Sequence, residues 1–366
     1  FDGLLTASNS LGNVVITKTG GSVNLNSTTE IAGNLTTSNN NSILNLNANH
    51  LKVQKNIFNA LGSVTFNGTT SGSTLEFNGS VPQTFFTNGN INTTNLILSH
   101  QSSGVTLSGG SIILDATGLL TLDSGNVITG TNEVVVNNPD PGAVVGGHAT
   151  SFVQGNLRRA LSGNPDMYAF PVGHATKGYQ LAEVKFTTPT LIPNLVASFS
   201  AYPVIPTGPV TGDCFSYNYS LLPVLDNGYW SILPSANGNS GTYNISLYNT
   251  SYSPTANYAT ALLSPLSPPT SVSWTLSGTC VSGSDATLTM RNGMNGFGYF
   301  GVGLAVPSPL PIELITFAGK QDGEKNKLWW VTASEINSDF FILESSLDGN
   351  IFKPVATLKA AGNSNN

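Results

Sequence analysis

A short apolar unit recurs along the first part of the chain and limits the folds that it can adopt. The unit is an apolar residue, any residue and a second apolar residue, as in Val23-Asn24-Leu25. In an extended strand successive side chains point to opposite faces, so the two apolar residues of each unit share one face. Nine such units occur, at 23–25, 44–46, 64–66, 75–77, 96–98, 105–107, 112–114, 120–122 and 134–136.

These units return at an interval of about twenty residues. Four pairs show it: Leu25 with Leu46, Leu46 with Phe66, Phe77 with Leu98, and Leu114 with Val136. Short strands with this period and Gly or Asn turns are typical of a parallel β-helix, in which each repeat is one coil and stacked coils share one core. We therefore predict a parallel β-helix, or β-solenoid, for residues 1–150. An antiparallel sandwich is the alternative, because it also uses short strands and turns.

The sequence changes character after the turn-rich stretch 137–142, and its proline content rises. Segments 182–186, 195–199, 243–248 and 286–290 alternate apolar and polar residues, which favours antiparallel strands with one buried face. We predict a β-sandwich-like domain over 151–306 and a proline-rich linker over 307–312. No segment has the pattern of a helix of normal length, so the predicted fold class is all-β.

The last part of the chain, 313–366, contains four strand-like segments. They are 312–317, 327–331, 340–344 and 352–358, and turn-rich spacers separate them. An immunoglobulin-like sandwich needs about seven strands in roughly 100 residues. We therefore expect a truncated Ig-like sandwich module here, and a chain that is part of a longer polypeptide.

Motifs in this tail resemble a known family. They are LPIEL at 310–314, WW at 329–330, TASEIN at 332–337, ESSLDG at 344–349 and AGNS at 361–364. Together they resemble the fibronectin-type-III-like module near the C-terminus of large secreted Bacteroidota cell-surface proteins. VQGNLRRAL at 153–161 and YAFPVG at 168–173 are similar to a stretch that follows the repeats in such proteins. The resemblance implies export by the type IX secretion machinery and a location at the outer cell surface or outside the cell.

The charge content excludes several kinds of partner. Charged residues make up 9% of the chain, against about 25% in ordinary soluble domains. The formal net charge is −6, and the thirteen Lys and Arg residues are scattered, so the basic footprint of a nucleic-acid-binding protein is missing. No run of eighteen apolar residues occurs, and we predict no membrane span.

Cys214 and Cys280 are the only cysteines, and both fall in the predicted second domain. An even pair in an exported protein indicates a disulfide, and two buried thiols are the alternative. No histidine stands at metal-ligand spacing from either cysteine, and no cofactor motif is present. We predict a disulfide, no metal site and no cofactor.

Three charged residues form the densest cluster in this charge-poor chain: Arg158, Arg159 and Asp166. Guanidinium groups bind carboxylates and sugars through paired hydrogen bonds, so a ligand clamp is one hypothesis. The other is structural, with the arginines capping the last coil and tethering the next domain. We favour this inter-domain role.

Aromatic residues suggest a second candidate site. Phe215, Tyr217 and Tyr219 alternate and therefore share a face if they lie in one strand, and Trp230 lies in the same domain. Exposed, the four rings would form a platform for glycans. Buried, they would fill the core of the sandwich, which we favour because aromatic rings bury a large apolar area.

Acids and histidines give little support for catalysis. Glycoside hydrolysis usually needs paired carboxylates, and Asp115 and Asp123 are the pair that adjacent turns could bring together. Single aspartates in turns explain them equally well. The four histidines, His50, His100, His148 and His174, form no catalytic or metal motif, and we expect surface or turn positions for them.

The sequence thus favours a structural and adhesive protein without enzymatic activity: a stalk, spacer or fibre subunit of a bacterial surface assembly. Self-association or other surface proteins are the expected partners. A carbohydrate-binding surface module is the alternative, and a β-helix enzyme that degrades polysaccharides is the third hypothesis.

Overall fold

The computed structural model describes residues 3–5, 10–17, 21–37, 43–59, 65–68, 72–201, 210–211, 219–224, 228–249, 259–264, 277–281, 287–307, 314–335, 339–360 and 364–365. These residues form β-strands, one 3-10 turn (Pro141–Ala143) and no α-helix. The chain divides into two compact units. The first contains Phe1–Cys214 and Leu221–Val306, and the second contains Phe215–Ser220 and Pro307–Asn366.

The strands of the first part of the chain are short, apart from two. They are β1 (Gly3–Leu5), β2 (Val14–Ile16), β3 (Ser22–Leu25), β4 (Thr29–Ile31), β5 (Leu35–Thr37), β6 (Ile43–Asn45), β7 (His50–Val53), β8 (Ile57–Asn59), β9 (Thr65–Gly68), β10 (Thr74–Phe77), β11 (Gln83–Thr87), β12 (Ile91–Thr93), β13 (Asn95–Ser108), β14 (Ile112–Leu114), β15 (Leu120–Val136) and β16 (Val144–Gly146).

Longer strands follow. They are β17 (Val153–Ala160), β18 (Met167–His174), β19 (Gly178–Phe186), β20 (Asn194–Ser200), β21 (Val210–Thr211), β22 (Tyr219–Val224), β23 (Tyr229–Pro234), β24 (Tyr243–Tyr248), β25 (Ala259–Ser264), β26 (Thr279–Cys280), β27 (Leu288–Met294), β28 (Gly298–Pro307), β29 (Leu314–Asp322), β30 (Lys325–Thr332), β31 (Ser334–Glu335), β32 (Phe340–Ser345), β33 (Lys353–Lys359) and β34 (Ser364–Asn365).

The first part is a parallel β-solenoid of about six turns over residues 14–173, as predicted. Each coil contributes one strand to each of three parallel sheets, which we call A, B and C. Sheet A contains β1, β3, β6, β9, β12, β14, the end of β15 and β17. Sheet B contains β4, β7, β10, the start of β13, the start of β15 and β16. Sheet C contains β2, β5, β8, β11, the end of β13, the middle of β15, the start of β17 and β18.

The register of the stack follows the repeat interval in many coils, although some coils are longer, such as the one that separates the paired residues Ile57 and Phe85. Phe77 pairs with Leu98, and Leu114 pairs with Val136, as their spacing predicts. Phe66, however, pairs with Leu44 and not with Leu46. The coil from Leu44 to Phe66 spans 22 residues. Coils differ in length because the bends between strands vary, while the apolar units keep the same length. The spacing of about twenty residues between Leu46 and Phe66 therefore does not correspond to a strand pairing.

Apolar side chains of all three sheets fill the interior of the coil stack. In the units whose side chains the structure describes, the first and third residues are buried apart from the half-buried Val23, as at Leu96 and Leu98, while the middle residue, here Ile97, faces outward and is half-buried. Glu76 is the exception, since it is a middle residue and is nevertheless buried. One apolar core thus runs through the coils, which none of them could form alone.

Two of the solenoid sheets continue into the following antiparallel strands. Sheet A continues from β17 through β20, β23, β28 and β25, and sheet C continues from β18 through β19, β24, β27 and β26. Strand β17 belongs to both sheets, because Val153 pairs with β18 whereas Leu157 pairs with β20. Residues on both sides of the expected boundary at 150 therefore belong to one compact unit.

Aromatic rings pack in the core of this antiparallel part. Phe199 and Trp230 meet edge to face at 4.9 Å between ring centroids. Tyr243 and Phe297 stack at 4.5 Å. The strands alternate buried and half-buried residues, as predicted for segments with one buried face.

The second unit contains two antiparallel hairpins, β29–β30 and β32–β33, and the short pair β31–β34. The four strands of the two hairpins cover nearly the same residues as the four segments predicted from the sequence. Many of its apolar side chains are exposed, and every residue of β33 is exposed.

Candidate binding cleft on sheet A

A polar cleft of about 320 Å³ lies on the outward face of sheet A, near the last coil. It is the best candidate for a functional site in the described part of the solenoid. We call it the sheet A cleft, and it is lined by Asn90, Ser111, Ile113, Glu133, Val135, Asn137, Arg158 and Asn194.

Strand register builds the floor of the cleft. Ile113 of β14 pairs with Val135 of β15, which pairs in turn with Arg158 of β17. All three are middle residues of the alternating pattern, so their side chains face outward and are half-buried. The floor is therefore two aliphatic side chains beside one guanidinium group.

An ion pair closes one side of the floor. Arg158 Nε and Nη2 donate to Glu133 Oε2 and Oε1 at 2.7 and 2.8 Å, which is a bidentate contact between neighbouring strands. This carboxylate raises the pKa of Arg158, and partial burial acts in the opposite direction. Glu133 N also donates to Ser111 Oγ at 2.9 Å, and Ser111 N donates to Asn90 Oδ1 at 3.0 Å. Three successive coils are thus linked along this wall.

Asn194 also lines the cleft. It is the first residue of β20 and pairs with Ala160, the last residue of β17. Its side-chain oxygen is shielded from solvent and accepts no hydrogen bond from the described residues. A buried acceptor without a donor is costly, and because this oxygen is shielded from solvent, a ligand in the cleft cannot reach it in this conformation.

Of the predicted arginine cluster, Arg159 lies in the interior. It is fully buried, and its guanidinium donates to Ala169 O at 2.8 Å, Pro141 O at 2.8 Å and Asp140 O at 3.1 Å. Burial lowers the pKa of Arg159 to about 10, so the group stays charged at neutral pH. This contact holds the turn after β15 against β18.

Asp166 is not part of this contact. Its carboxylate accepts a hydrogen bond from Ser162 Oγ at 2.5 Å, within the loop before β18. Its inclusion in a clamp with Arg158 and Arg159 is wrong, because Glu133 is the carboxylate that register places beside Arg158. Sequence reasoning missed Glu133, although its distance of 25 residues from Arg158 corresponds to one coil.

The aromatic platform is contradicted at one of its four positions. Trp230 is buried, and its Nε1 donates to Gln180 O at 3.0 Å, so it belongs to the core and not to an exposed surface. Phe215 and Tyr217 lie outside the described residues, and Tyr219 begins β22. The alternative prediction, a core position, is the one that Trp230 fulfils.

The disulfide stays a prediction. Cys214 lies outside the described residues. Cys280 ends the two-residue strand β26, where it pairs with Arg291 of β27.

A second group of charged residues lies on the outward face of sheet B. His50 Nε2 and Lys52 Nζ lie 2.7 and 3.4 Å from Glu76 Oε2, and Ser99 Oγ donates to Glu76 Oε1. The hydrogen bond from His50 is the largest cause that lowers the pKa of Glu76 to about 2, with contributions from Ser99 and Lys52, while burial acts in the opposite direction. The buried acid is thus held in its ionised form.

The other histidines and acids have structural contacts. His148 lies in a turn closed by paired backbone hydrogen bonds with Ser151, as expected. His100 is buried, so the expectation of a surface or turn position is wrong for it. Its Nε2 donates to Val81 O at 2.9 Å, and burial lowers its pKa.

The two aspartates proposed as a pair lie at different corners of the solenoid. Asp115 follows β14 at the bend from sheet A to sheet B, and Asp123 lies at the bend from sheet B to sheet C. Asp115 accepts hydrogen bonds from Thr94 Oγ1 and from Thr117 N, both at 2.8 Å. It has the contacts of a turn residue, and the structure does not bring the two carboxylates together.

Within the described ranges, no three His, Cys, Asp or Glu side chains converge as a set of metal ligands. No helix there is long and apolar enough to cross a membrane. The chain matches no protein-family model, and comparison with curated proteins and with solved structures gave no significant match. The resemblance to Bacteroidota surface proteins therefore rests on the motifs quoted above.

Proposed function

We propose that this chain is a structural and adhesive component of a bacterial cell-surface or extracellular assembly, in which the solenoid serves as a stalk, spacer or fibre element. One observation carries the proposal: the coil stack has a single apolar core, and two of its three sheets run without interruption into the antiparallel strands that follow. Such a continuous ladder transmits load from strand to strand and leaves no hinge at the junction.

The chemistry of the surface supports the same role. Two acids on the faces of the solenoid, Glu76 and Glu133, are paired with the neighbouring cations Lys52 and Arg158 and are therefore part of the scaffold. Asp115 is engaged in a turn. A scaffold with few free ionisable groups suits adhesion or spacing better than acid–base catalysis, which needs groups poised to exchange protons.

The proposal includes secretion by the type IX machinery and a place at the outer surface or outside the cell. The tail and junction motifs and the 9% content of charged residues support it. The partners are further copies of the chain or other surface proteins, with glycans as the second candidate. Nucleic acid and cofactors have no part in this proposal, and the chain is not an enzyme.

Negative-stain electron microscopy of the native, full-length product released from the cell surface tests the proposal. Regular fibres, closed multimers or isolated stiff rods are expected, together with resistance of the solenoid to added protease. Turnover of a polysaccharide that is lost in Asp115→Asn or Asp123→Asn would contradict it. So would a product that stays inaccessible to protease added to intact cells.

A further inference from the structure

We propose that the outward face of sheet C pairs with the same face of a second copy of this chain. In the coil stack this face is formed by seven parallel strands, from β2 to the start of β17. The inference rests on the proposed function, in which further copies of the chain are partners, and it names the surface through which two copies meet. The contact is two-fold, with sheet packed on sheet.

Strand register places the outward side chains of sheet C in two rows. Thr36 pairs with Val15 and with Phe58, Phe58 pairs with Phe86, and Phe86 pairs with Ser108. Val15 is 58% exposed and Phe86 is 37% exposed, and the remaining side chains of both rows are exposed or half-buried. The rows therefore form an accessible surface of apolar and hydroxyl groups. The second row contains Thr84, Thr106, Ile128 and Gln154.

The absence of charge distinguishes this face from the other two. Neither row, all of whose residues the structure describes, contains an ionisable residue. Sheet B presents Glu30, Lys52 and Glu76 in one row, and sheet A presents Glu133 and Arg158 on neighbouring strands. In a two-fold contact a surface meets itself, so charged residues would lose water or meet like charges. Sheet C can meet itself without burying a charge, in a chain whose net charge of −6 otherwise repels further copies.

Charged residues border this face without entering it. Lys55 and Asp123 lie at bends from sheet B to sheet C, and both are exposed. Glu183 and Lys185 lie on β19, beyond the coil stack. An uncharged surface with a charged rim is the arrangement typical of protein–protein interfaces.

The two phenylalanines lie near the centre of the face. Phe86 is on β11, the fourth of the seven strands, and Phe58 is on β8, the third. Seven strands about 4.8 Å apart give a face roughly 30 Å tall. Aromatic anchors near the centre supply most of the binding energy of an interface. A two-fold axis through β11 therefore places the Phe86 side chains of the two copies beside each other.

Sedimentation velocity of the full chain tests the proposal over about 1–100 μM, the range in which interfaces of modest size dissociate. We expect a concentration-dependent dimer in the parent. Phe86→Lys places two like charges at the axis and should raise the dissociation constant at least about a hundredfold. Phe86→Glu should do the same. An equimolar mixture of the two variants should associate again, because opposite charges then face each other.

Ile97→Lys is the matched control, since Ile97 is a half-buried outward residue of sheet B. It should associate as the parent does. Circular dichroism confirms the fold of each variant, and misfolded chains would not recover association in the mixture. If both Phe86 variants misfold, Thr106→Lys tests the same face and should weaken association about tenfold or more, because its charge is buried in the contact.

A parent that stays monomeric over the whole concentration range would overturn the proposal. A dimer that persists in Phe86→Lys would also overturn it and would assign the contact to another surface, such as the hairpins of the second unit. Failure of the mixture to associate would exclude the two-fold contact. Each of these results leaves the proposed function standing where microscopy shows isolated stiff rods, whereas polysaccharide turnover or a product inaccessible to protease contradicts that function whatever the chain's association.

Discussion

Arg159 is a fully buried cation whose charge is met by main-chain oxygens. Three carbonyls, those of Asp140, Pro141 and Ala169, receive hydrogen bonds from it. Its guanidinium also lies 5.2 Å from the ring centroid of Tyr168. Arg159→Met keeps much of the apolar volume but removes the hydrogen bonds from the guanidinium to these three carbonyls, of which Asp140 O still accepts from Ala143 N. We expect a loss of about 3 kcal/mol in the free energy of unfolding, measured by urea denaturation followed by circular dichroism.

Arg158→Met, one residue earlier, is the control for that measurement. Arg158 lies at the surface, and its ion pair with Glu133 is partly exposed on both sides. Ion pairs of this kind contribute about 1 kcal/mol or less. If both substitutions lowered the free energy of unfolding equally, the hydrogen bonds from Arg159 to β18 and to the turn after β15 would not account for the effect of removing it.

Glu76 gives the solenoid a pH dependence whose sign can be worked out. Its pKa is about 2 in the folded chain and 4.5 as its ordinary value, so the unfolded chain binds the proton more tightly. The stabilisation is therefore complete above about pH 4.5 and is lost as the pH falls towards 2, by at most about 3 kcal/mol.

Melting temperatures between pH 7 and pH 2 check this expectation. The parent should lose stability faster below pH 4.5 than Glu76→Gln, which has no carboxylate to protonate. Asp123→Asn removes an exposed acid from the same solenoid and should behave as the parent does. Parallel curves for the parent and Glu76→Gln would refute a role for the contacts with His50, Lys52 and Ser99.

At the scale of elements, the bends determine how closely the coils can stack. Gly104 in β13 has φ of +107°, and a Cβ there would lie 2.0 Å from Asn126 O of the next coil. We expect Gly104→Ala to cost about 2 kcal/mol or more, because strain and a backbone clash combine. Gly130→Ala is the control: its φ is +59° with nothing within 4 Å, so it should cost only about 1 kcal/mol. Thermal denaturation of both variants measures the difference.

The same bends explain which parts of the fold could be predicted from the sequence. The strand units and their parallel stacking could be predicted, because apolar alternation that repeats about every twenty residues is compatible with few other folds. The pairing partner of Phe66 could not be predicted, because residues added at a bend leave the apolar units unchanged. Alternation also shows that Tyr229 and Trp230 face opposite ways without showing which of them is inside.

The candidate site was still less accessible from the sequence. Arg158 stood out because charge is rare in this chain, but its partner Glu133 lies one coil away and needed the register. Asn194 carries no sequence signal, since asparagine is common here and its lack of a donor is a property of the folded wall. The residues that line the cleft come from several coils, so no single segment of the sequence contains the site.

At the scale of the whole molecule, apolar burial is concentrated in the first unit. The buried core extends from Ile16 to Val302, and no described residue of the second unit belongs to it. In β32 and β33 the side chains of Phe340, Ile342 and Val355 are each more than half exposed. Hairpins with little buried apolar area open readily, whereas central strands of a continuous core open only with the whole unit.

Hydrogen exchange of the full chain, followed by mass spectrometry, measures this difference directly. Amides of β32 and β33 should exchange at least about a hundredfold faster than those of β13 and β15, which are hydrogen-bonded on both sides in the coil stack. Strand β24, in the antiparallel part of the first unit, is the internal control and should be protected like the solenoid, because it pairs with β19 and β27. Equal protection of both units would show that the apolar faces of the hairpins are covered in solution, by a further copy or another part of the assembly. The second unit would then be the part of the molecule through which the proposed assembly forms.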